Sequence, residues 1–208
     1  MQLSIIYRDD YLLVVEKPAG LLSVPGKNPQ LDNLIDLLKR DFPTARIVHR
    51  LDMATSGLMV IALSADSHKK LSRQFETRHV EKKYIAITSG IINDDENLID
   101  LPLICDWPNR PLQKVDYETG KPAQTNYKVL ARDTEKNQTR VALFPITGRS
   151  HQLRVHLAEI GHAILGCEFY ADEQSKHAAP RLLLHACELT FSHPDTNTSM
   201  TFQSEAPF

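Results

Sequence analysis

An α+β fold is expected for this chain, with one mixed, mostly antiparallel sheet flanked by helices and loops. Three observations point there. Short apolar runs of strand length recur along the 208 residues. Only a few stretches carry helical periodicity. Neighbouring strands read as hairpins rather than as regular βαβ units. At 42% hydrophobic and 24% charged residues, the composition is that of an ordinary globular protein. A chain this long buries roughly 70% of its unfolded surface, so neither disulfides nor a structural metal are needed to hold it.

The elements follow in order. IIYR and YLLVVEK, on either side of Asp9-Asp10, form a hairpin. LLSVPGKNPQ is a Pro/Gly loop. Leu31, Leu34, Ile35 and Leu38 recur at i, i+3, i+4 and i+7, which predicts an amphipathic helix over 31–40. Thr55-Ser56-Gly57 is a turn, and the wholly apolar LMVIAL after it is a buried strand. Residues 66–78 form a basic helix with Leu71 and Phe75 turned inward. KYIAITS, TNYKVLA and TRVALF are further strands, the first two separated by the turn-rich LPLICDWPNRPLQKVDYETGKPAQ. SHQLRVHLAEIG is a helix that Ser150 can cap and Gly161 can end in the left-handed conformation. Leu153, Leu157 and Ile160 are its buried stripe. LLLHACELTF and SMTFQ close the chain as strands.

Several function classes lack their sequence signs. The N-terminal stretch has no basic region, and Asp9 and Asp10 interrupt its apolar residues, so it does not read as a signal peptide. No apolar run approaches the roughly 18 residues of a membrane span. The cytoplasm is the expected location, with no membrane partner. Cys105, Cys167 and Cys187 are odd in number, widely spaced and without a C-x-x-C pair, as reduced thiols in or near the core would be. Nine histidines include no H-E-x-x-H, and His151 and His156 are five apart, off a common helix face. No metal site is therefore expected. Neither a phosphate-binding G-x-x-x-x-G-K-[ST] nor a G-x-G-x-x-G after a strand occurs. Ser56 lacks the G-x-S-x-G setting of a hydrolase nucleophile.

The net charge of −2 argues mildly against a nucleic-acid partner, but charge is unevenly spread. Residues 69–83, KKLSRQFETRHVEKK, carry six Lys or Arg against two Glu, whereas 93–100, NDDENLID, carry four acids and no base. The basic stretch is either a solvated helix face or a surface for an anionic partner.

Two places could carry chemistry. Asp52 lies two residues from Arg50, just ahead of a turn into a core strand. A carboxylate there is held by rigid structure while facing a cleft, which suits a nucleophile or a base; a local surface ion pair with Arg50 is the plainer alternative. Arg149 precedes a helix N-terminus, where backbone N–H groups favour anions such as phosphate. Arg149 and Arg154 are either anion contacts or solvent-exposed helix charges.

The motifs taken together are recognisable. HRLDMATSG resembles the H-R-L-D-x-x-T-S-G signature of the RluA-type pseudouridine synthases. Glu16-Lys17-Pro18-Ala19-Gly20 looks like that family's K-P-x-G block, Lys82-Lys83-Tyr84 is similar to its K-x-Y block, and Gly148 to Arg154 to its G-R-x-H-Q-[LI]-R block, in the right order. The resemblance runs from about residue 5 to the end. It implies one catalytic domain over 1–208, with no N-terminal S4 RNA-binding domain because the blocks begin almost at once.

The activity so implied is isomerisation of uridine to pseudouridine in RNA. The N-glycosidic bond breaks, the uracil turns and rejoins through carbon, with no redox change, no hydrolysis and no cofactor. By the resemblance Asp52 is the catalytic aspartate, Arg154 the basic residue that pairs with it, and Tyr84 the active-site tyrosine that stacks on the uracil. Arg50, beside His49, matches the residue that enters the space a flipped base leaves. His49, Arg50, Arg149, Lys82, Lys83, Arg110 and Lys114 join the basic helix as candidate RNA contacts. LPLICDWPNRPLQKVDYETGKPAQT is further similar to a family member that acts on both a 23S rRNA hairpin and the tRNA anticodon stem-loop. Those two RNAs are the expected partners, met by a monomer; a sister synthase with another target uridine is the alternative.

Overall fold

LMVIAL is a central strand because it has no polar face to offer water. The structure, a computed structural model, describes residues 3–208. In chain order they form β1 (Ser4–Arg8), β2 (Leu12–Lys17), α1 (Leu34–Lys39), β3 (Arg46–Ile47), β4 (Ser56–Ala62), α2 (Ala65–Glu76), β5 (Glu81–Ser89), β6 (Glu96–Asp100), β7 (Leu103–Cys105), a 3₁₀ turn at Trp107–Asn109, and β8 (Gln113–Val115). Then follow β9 (Gln124–Asp133), β10 (Gln138–Pro145), α3 (Gln152–Glu159), α4 (Glu173–His177), β11 (Leu184–Ser192) and β12 (Ser199–Gln203). The chain divides into two units, residues 3–82 with 185–207, and residues 83–184 with Phe208.

In the first unit every residue of β4 is buried. Strand β2 pairs antiparallel along one side of it, from Leu12 opposite Ala62 to Lys17 opposite Gly57. On its other side β11 pairs parallel at Ser56 and Gly57, and β3 antiparallel at Ile61 and Ala62. Strands β1 and β12 extend this sheet as antiparallel partners of β2 and β11. The alternation of a strand puts Leu58, Val60 and Ala62 on one face. There they join Leu12, Val14, Leu189 and Phe191, covered by Leu71 and Phe75 of α2. Ser64 caps α2 by accepting from the Ser67 N–H at 3.1 Å, and Lys69, Lys70 and Arg73 remain exposed on its outer face.

Helix α1 is shorter than the apolar repeat suggests. Asn33 accepts from the Asp36 N–H at 3.0 Å and starts the helix there, leaving Leu31 44% exposed in the preceding turn. The cap outweighs the extra i, i+3 match because it satisfies an otherwise orphan N–H.

In the second unit β5, β10, β9 and β6 pair in that order, each antiparallel to the next. The pairings are thus mixed, with β4–β11 parallel among antiparallel ones in the first unit and these strands of the second unit antiparallel. Strand β6 is the acidic run 93–100 in part, and β7 and β8 form a small hairpin within the stretch expected to be turn-rich. Its three pairs are Leu103–Val115, Ile104–Lys114 and Cys105–Gln113, short strands set among Pro102, Pro108 and Pro111.

Helix α3 departs from expectation at both its cap and its faces. The residue at the N-cap is His151, in the left-handed conformation at φ 54°, and no side chain caps the helix. Of the expected stripe, Leu153 and Leu157 are buried while Ile160 is the half-buried C-cap residue, and burial extends to Gln152, Arg154, Val155 and His156. Gly161 does end it at φ 85°. None of the helices among the described residues is long and apolar enough to cross a membrane.

Candidate active site

The turn carrying Asp52 is fixed through its main chain on both sides. Leu51 is held twice by Ser23, whose hydroxyl donates to the Leu51 carbonyl at 2.7 Å and accepts from the Leu51 N–H at 3.1 Å. The Met53 carbonyl accepts from the Gly20 N–H at 2.8 Å and from the Lys17 ammonium at 3.1 Å. The Asp52 carbonyl accepts from the Thr55 N–H at 3.1 Å. Asp52 itself is half-buried, with Met53 exposed beside it.

Lys17 is the residue whose role the linear motif conceals. It is 0% exposed, at the end of a buried strand, and its ammonium also donates to the carbonyls of Leu21 at 2.7 Å and Pro18 at 2.9 Å. A buried ammonium is stable only where oxygens replace its water. Here those oxygens belong to the 18–21 loop and to the turn of Asp52, so one side chain ties both together. The position of a lysine two residues past the end of the apolar LLVV run, still within the strand, was the available signal.

The T-S-G portion of the motif is explained by strand packing. Ser56 is the first residue of β4, and its hydroxyl meets Nδ1 of buried His185 at 2.8 Å. Nε2 of that histidine lies 3.0 Å from the Ser204 hydroxyl. Gly57 has φ 120°, and a Cβ there would fall 2.3 Å from the Ala186 carbonyl oxygen. Only glycine lets β11 approach β4 this closely.

His49 is packed rather than presented. Its Nε2 accepts from the Val60 N–H at 3.1 Å, and its ring stacks on Phe75 with centroids 4.4 Å apart. Burial, aided by the Lys82 charge, pushes its pKa down to about 3, so the ring is neutral and can keep accepting. These contacts anchor the start of HRLD to β4 and occupy Nε2 of His49, one of the residues expected to contact RNA. Arg50, next to it, is exposed. Lys82 is half-buried, and burial together with Arg78 lowers its pKa.

In the second unit the G-R-S-H-Q-L-R block is built around Gln152. Its carbonyl oxygen accepts from the Thr147 hydroxyl at 2.7 Å and the Arg149 N–H at 3.0 Å, while its amide donates to the Gln124 carbonyl and the Thr125 hydroxyl, both at 2.9 Å. The loop before α3 is thereby bolted to β9. Arg149 is exposed, with Nε donating to the Pro122 carbonyl at 3.2 Å.

Arg154 is 3% exposed, which removes the solvent-exposed alternative for this arginine. Its guanidinium lies 5.0 Å from the Phe169 ring centroid and 5.3 Å from that of Tyr170, and Nε donates to the Cys167 sulfur at 3.4 Å. His151 Nδ1 and the Tyr170 hydroxyl are 2.6 Å apart, so the α3 N-terminus and residues 167–170 form one packed cluster. Tyr84 stands on β5 opposite Leu143 of β10, with half-buried Lys83 before it. Arg110 and Lys114 are exposed on the β7–β8 hairpin.

A profile of RNA pseudouridylate synthases matches residues 11–159, a span that contains Asp52, Tyr84 and Arg154. The chain belongs to the RNA pseudouridylate synthase family. It is 56% identical over 205 residues to the dual-specificity RNA pseudouridine synthase RluA of Yersinia pestis, covering 98% of this chain and 99% of that protein. The like-named protein of Escherichia coli K12 is 55% identical over 207 residues, covering 99% and 94%. Among solved structures, human RNA pseudouridylate synthase domain containing 1 superposes with a TM-score of 0.85 at 29% identity, over all of this chain and 84% of that one. Domain containing 4 gives 0.80 at 28%, over 98% and 88%.

The matched span contains the pinned turn, whose HRLD segment resembles the family signature. A cleft of about 590 Å³ elsewhere in the second unit fits RNA poorly. It is bordered by Asp94, Asp100 and Leu98 and by none of the motif residues, and its carboxylates would repel phosphate.

Proposed function

We propose that this chain isomerises uridine to pseudouridine in two RNAs, a 23S rRNA hairpin and the tRNA anticodon stem-loop. Asp52 is the catalytic carboxylate, Tyr84 the residue that stacks on the uracil, and Arg154 the cation that keeps Asp52 charged away from water. Residues 1–208 act as one catalytic domain, monomeric and cytoplasmic.

The observation that carries this reading is the main-chain anchoring of Asp52. Ser23, Gly20, Lys17 and Thr55 hold the backbone on both sides of it. A carboxylate that must meet one atom of a flipped nucleotide needs such positioning, since effective concentration depends on orientation. The extent of identity to relatives called dual-specificity supports the choice of two RNA classes.

The target uridine leaves its stack at a cost of a few kcal/mol, least in a loop. Arg50 enters the space left behind, its planar guanidinium suited both to stacking and to hydrogen bonding. Lys69, Lys70 and Arg73 of α2, with Lys83, Arg110, Lys114 and Arg149, meet phosphates. Two targets of different sequence imply recognition of a folded loop.

The test is chemical. Purified protein is incubated with each RNA, and pseudouridine is read by adduct formation and primer extension. Wild type modifies both, Asp52→Asn neither. Activity retained by Asp52→Asn would sink the assignment of Asp52. In cells without the gene, loss of pseudouridine from one RNA class alone would mean a sister specificity instead.

A further inference from the structure

The β7–β8 hairpin ends in an aromatic ring that the fold does not use. Trp107 is 64% exposed and is the chain's single tryptophan. Large aromatics are usually the most useful apolar residues for burial, so one left outside calls for a reason. The Arg110 guanidinium carbon sits 3.3 Å from the Trp107 ring centroid and covers one face of it.

The loop beneath is rigid. The Asp106 N–H donates to the Leu112 carbonyl at 2.9 Å, and the Asn109 and Leu112 N–H groups donate to the Asp106 and Asn109 carbonyls, each at 3.0 Å. The Asn109 amide donates to the Asp106 carboxylate at 2.8 Å, which occupies the nearest acid. At the base of the loop the Gln113 N–H donates to the Tyr170 hydroxyl at 2.9 Å. The ring is thus offered at a fixed place with one face free.

Resting on the function proposed above, we infer that Trp107, backed by Arg110, is a stacking platform for one unpaired base of the RNA substrate, apart from the uridine that reacts. Three features favour a nucleic-acid base over another occupant. Every base has a π-face, so a flat ring reads it without regard to sequence, as two different targets require. The guanidinium polarises the ring and supplies positive charge beside it for the adjoining phosphate. Lys114, exposed on β8, adds a second cation on the same hairpin.

A lone tryptophan makes the test direct. Intrinsic fluorescence of the wild type is followed while an unmodified tRNA anticodon stem-loop is added. Stacking quenches the emission in proportion to binding. A blunt duplex of equal length, without unpaired bases, quenches little. Trp107→Ala weakens binding of labelled stem-loop roughly tenfold or more, the range that base–aromatic stacking commands. The loss falls mainly in KM, and Trp107→Phe restores most of it. Thermal unfolding of the variants matches wild type, because the ring is outside the core.

If wild type isomerises the RNA but its emission does not respond, and Trp107→Ala binds within twofold, the platform is refuted while the enzymatic reading stands. A concentration-dependent emission shift without RNA, lost in Trp107→Ala, would assign the ring to self-association and refute it as well. If wild type converts no uridine in either RNA, the enzymatic reading fails and this inference with it.

Discussion

Replacing Gly57 with alanine tests whether strand approach sets the position of the turn that carries Asp52. The added Cβ would lie 2.3 Å from the Ala186 carbonyl oxygen and 2.5 Å from its nitrogen, both of them backbone atoms that cannot rotate away. The φ of 120° is itself a conformation that L residues avoid, at a cost on the order of 1–3 kcal/mol. Separating β4 from β11 adds overpacking strain of about the same size. Reduced freedom of the unfolded chain returns somewhat less than 1 kcal/mol. The net loss is about 2–5 kcal/mol, or a Tm lower by roughly 5–20 °C for a chain of this size. Circular dichroism melts measure it, with Gly148→Ala as control, since a Cβ there meets nothing within 4 Å. Pseudouridine formation at a temperature where the variant is still folded should also slow, because β4 begins four residues after Asp52. A Tm within 2 °C of wild type would refute the argument that this close parallel approach constrains the turn.

Three other perturbations probe different contacts. Lys17→Met keeps the volume but leaves the Leu21, Pro18 and Met53 carbonyls without their ammonium; stability should fall by about 2–4 kcal/mol in urea titrations, with activity falling further than the folded fraction accounts for. His49, held near pKa 3 against an unfolded value of about 6.5, contributes stability that is whole above pH 6.5 and drains away as pH drops toward 3. Unfolding free energy should therefore decline by about 3 kcal/mol from pH 7 to pH 4, and His49→Gln should flatten that slope. Arg154→Lys keeps the charge but loses the planar contact with Phe169 and Tyr170, so activity should drop at least tenfold, by about 1.4 kcal/mol, while the melt shifts little.

The initial hairpin, β4 and α2 could be read from residue order because each has a simple period and a clear boundary. Leu12 to Val15 and Leu58 to Ala62 are apolar on both faces, as a central strand must be, and all are buried. Where reading failed, a nonlocal partner decided. Leu31 continues an apolar repeat, yet Asn33 starts the helix after it. Ser150 has the chemistry of a cap, but Gln152 reaches back to the Arg149 N–H and across to β9, leaving His151 at the cap position. The RluA-type blocks marked the correct segments, and a profile match over 11–159 now covers them. They assigned roles to Asp52, Tyr84 and Arg154 but none to Lys17 or Gln152. Lys17 and Gln152 look like surface polar residues in the linear order, and their partners are carbonyl oxygens and hydroxyls that no side-chain pattern announces. Arg154 read equally well as a helix surface charge until its 3% exposure was seen.

The way the Asp52 turn is anchored has a consequence for what can change around it. Ser23, Gly20 and Lys17 grip main-chain atoms of residues 51 and 53. The grip is therefore indifferent to the side chain carried at position 53, where Met53 is 43% exposed. Variation there can retune what the neighbourhood of the carboxylate touches without moving the carboxylate itself. A cysteine in place of Met53 could likewise carry a reporter group, giving a vantage point beside Asp52 in an otherwise undisturbed turn.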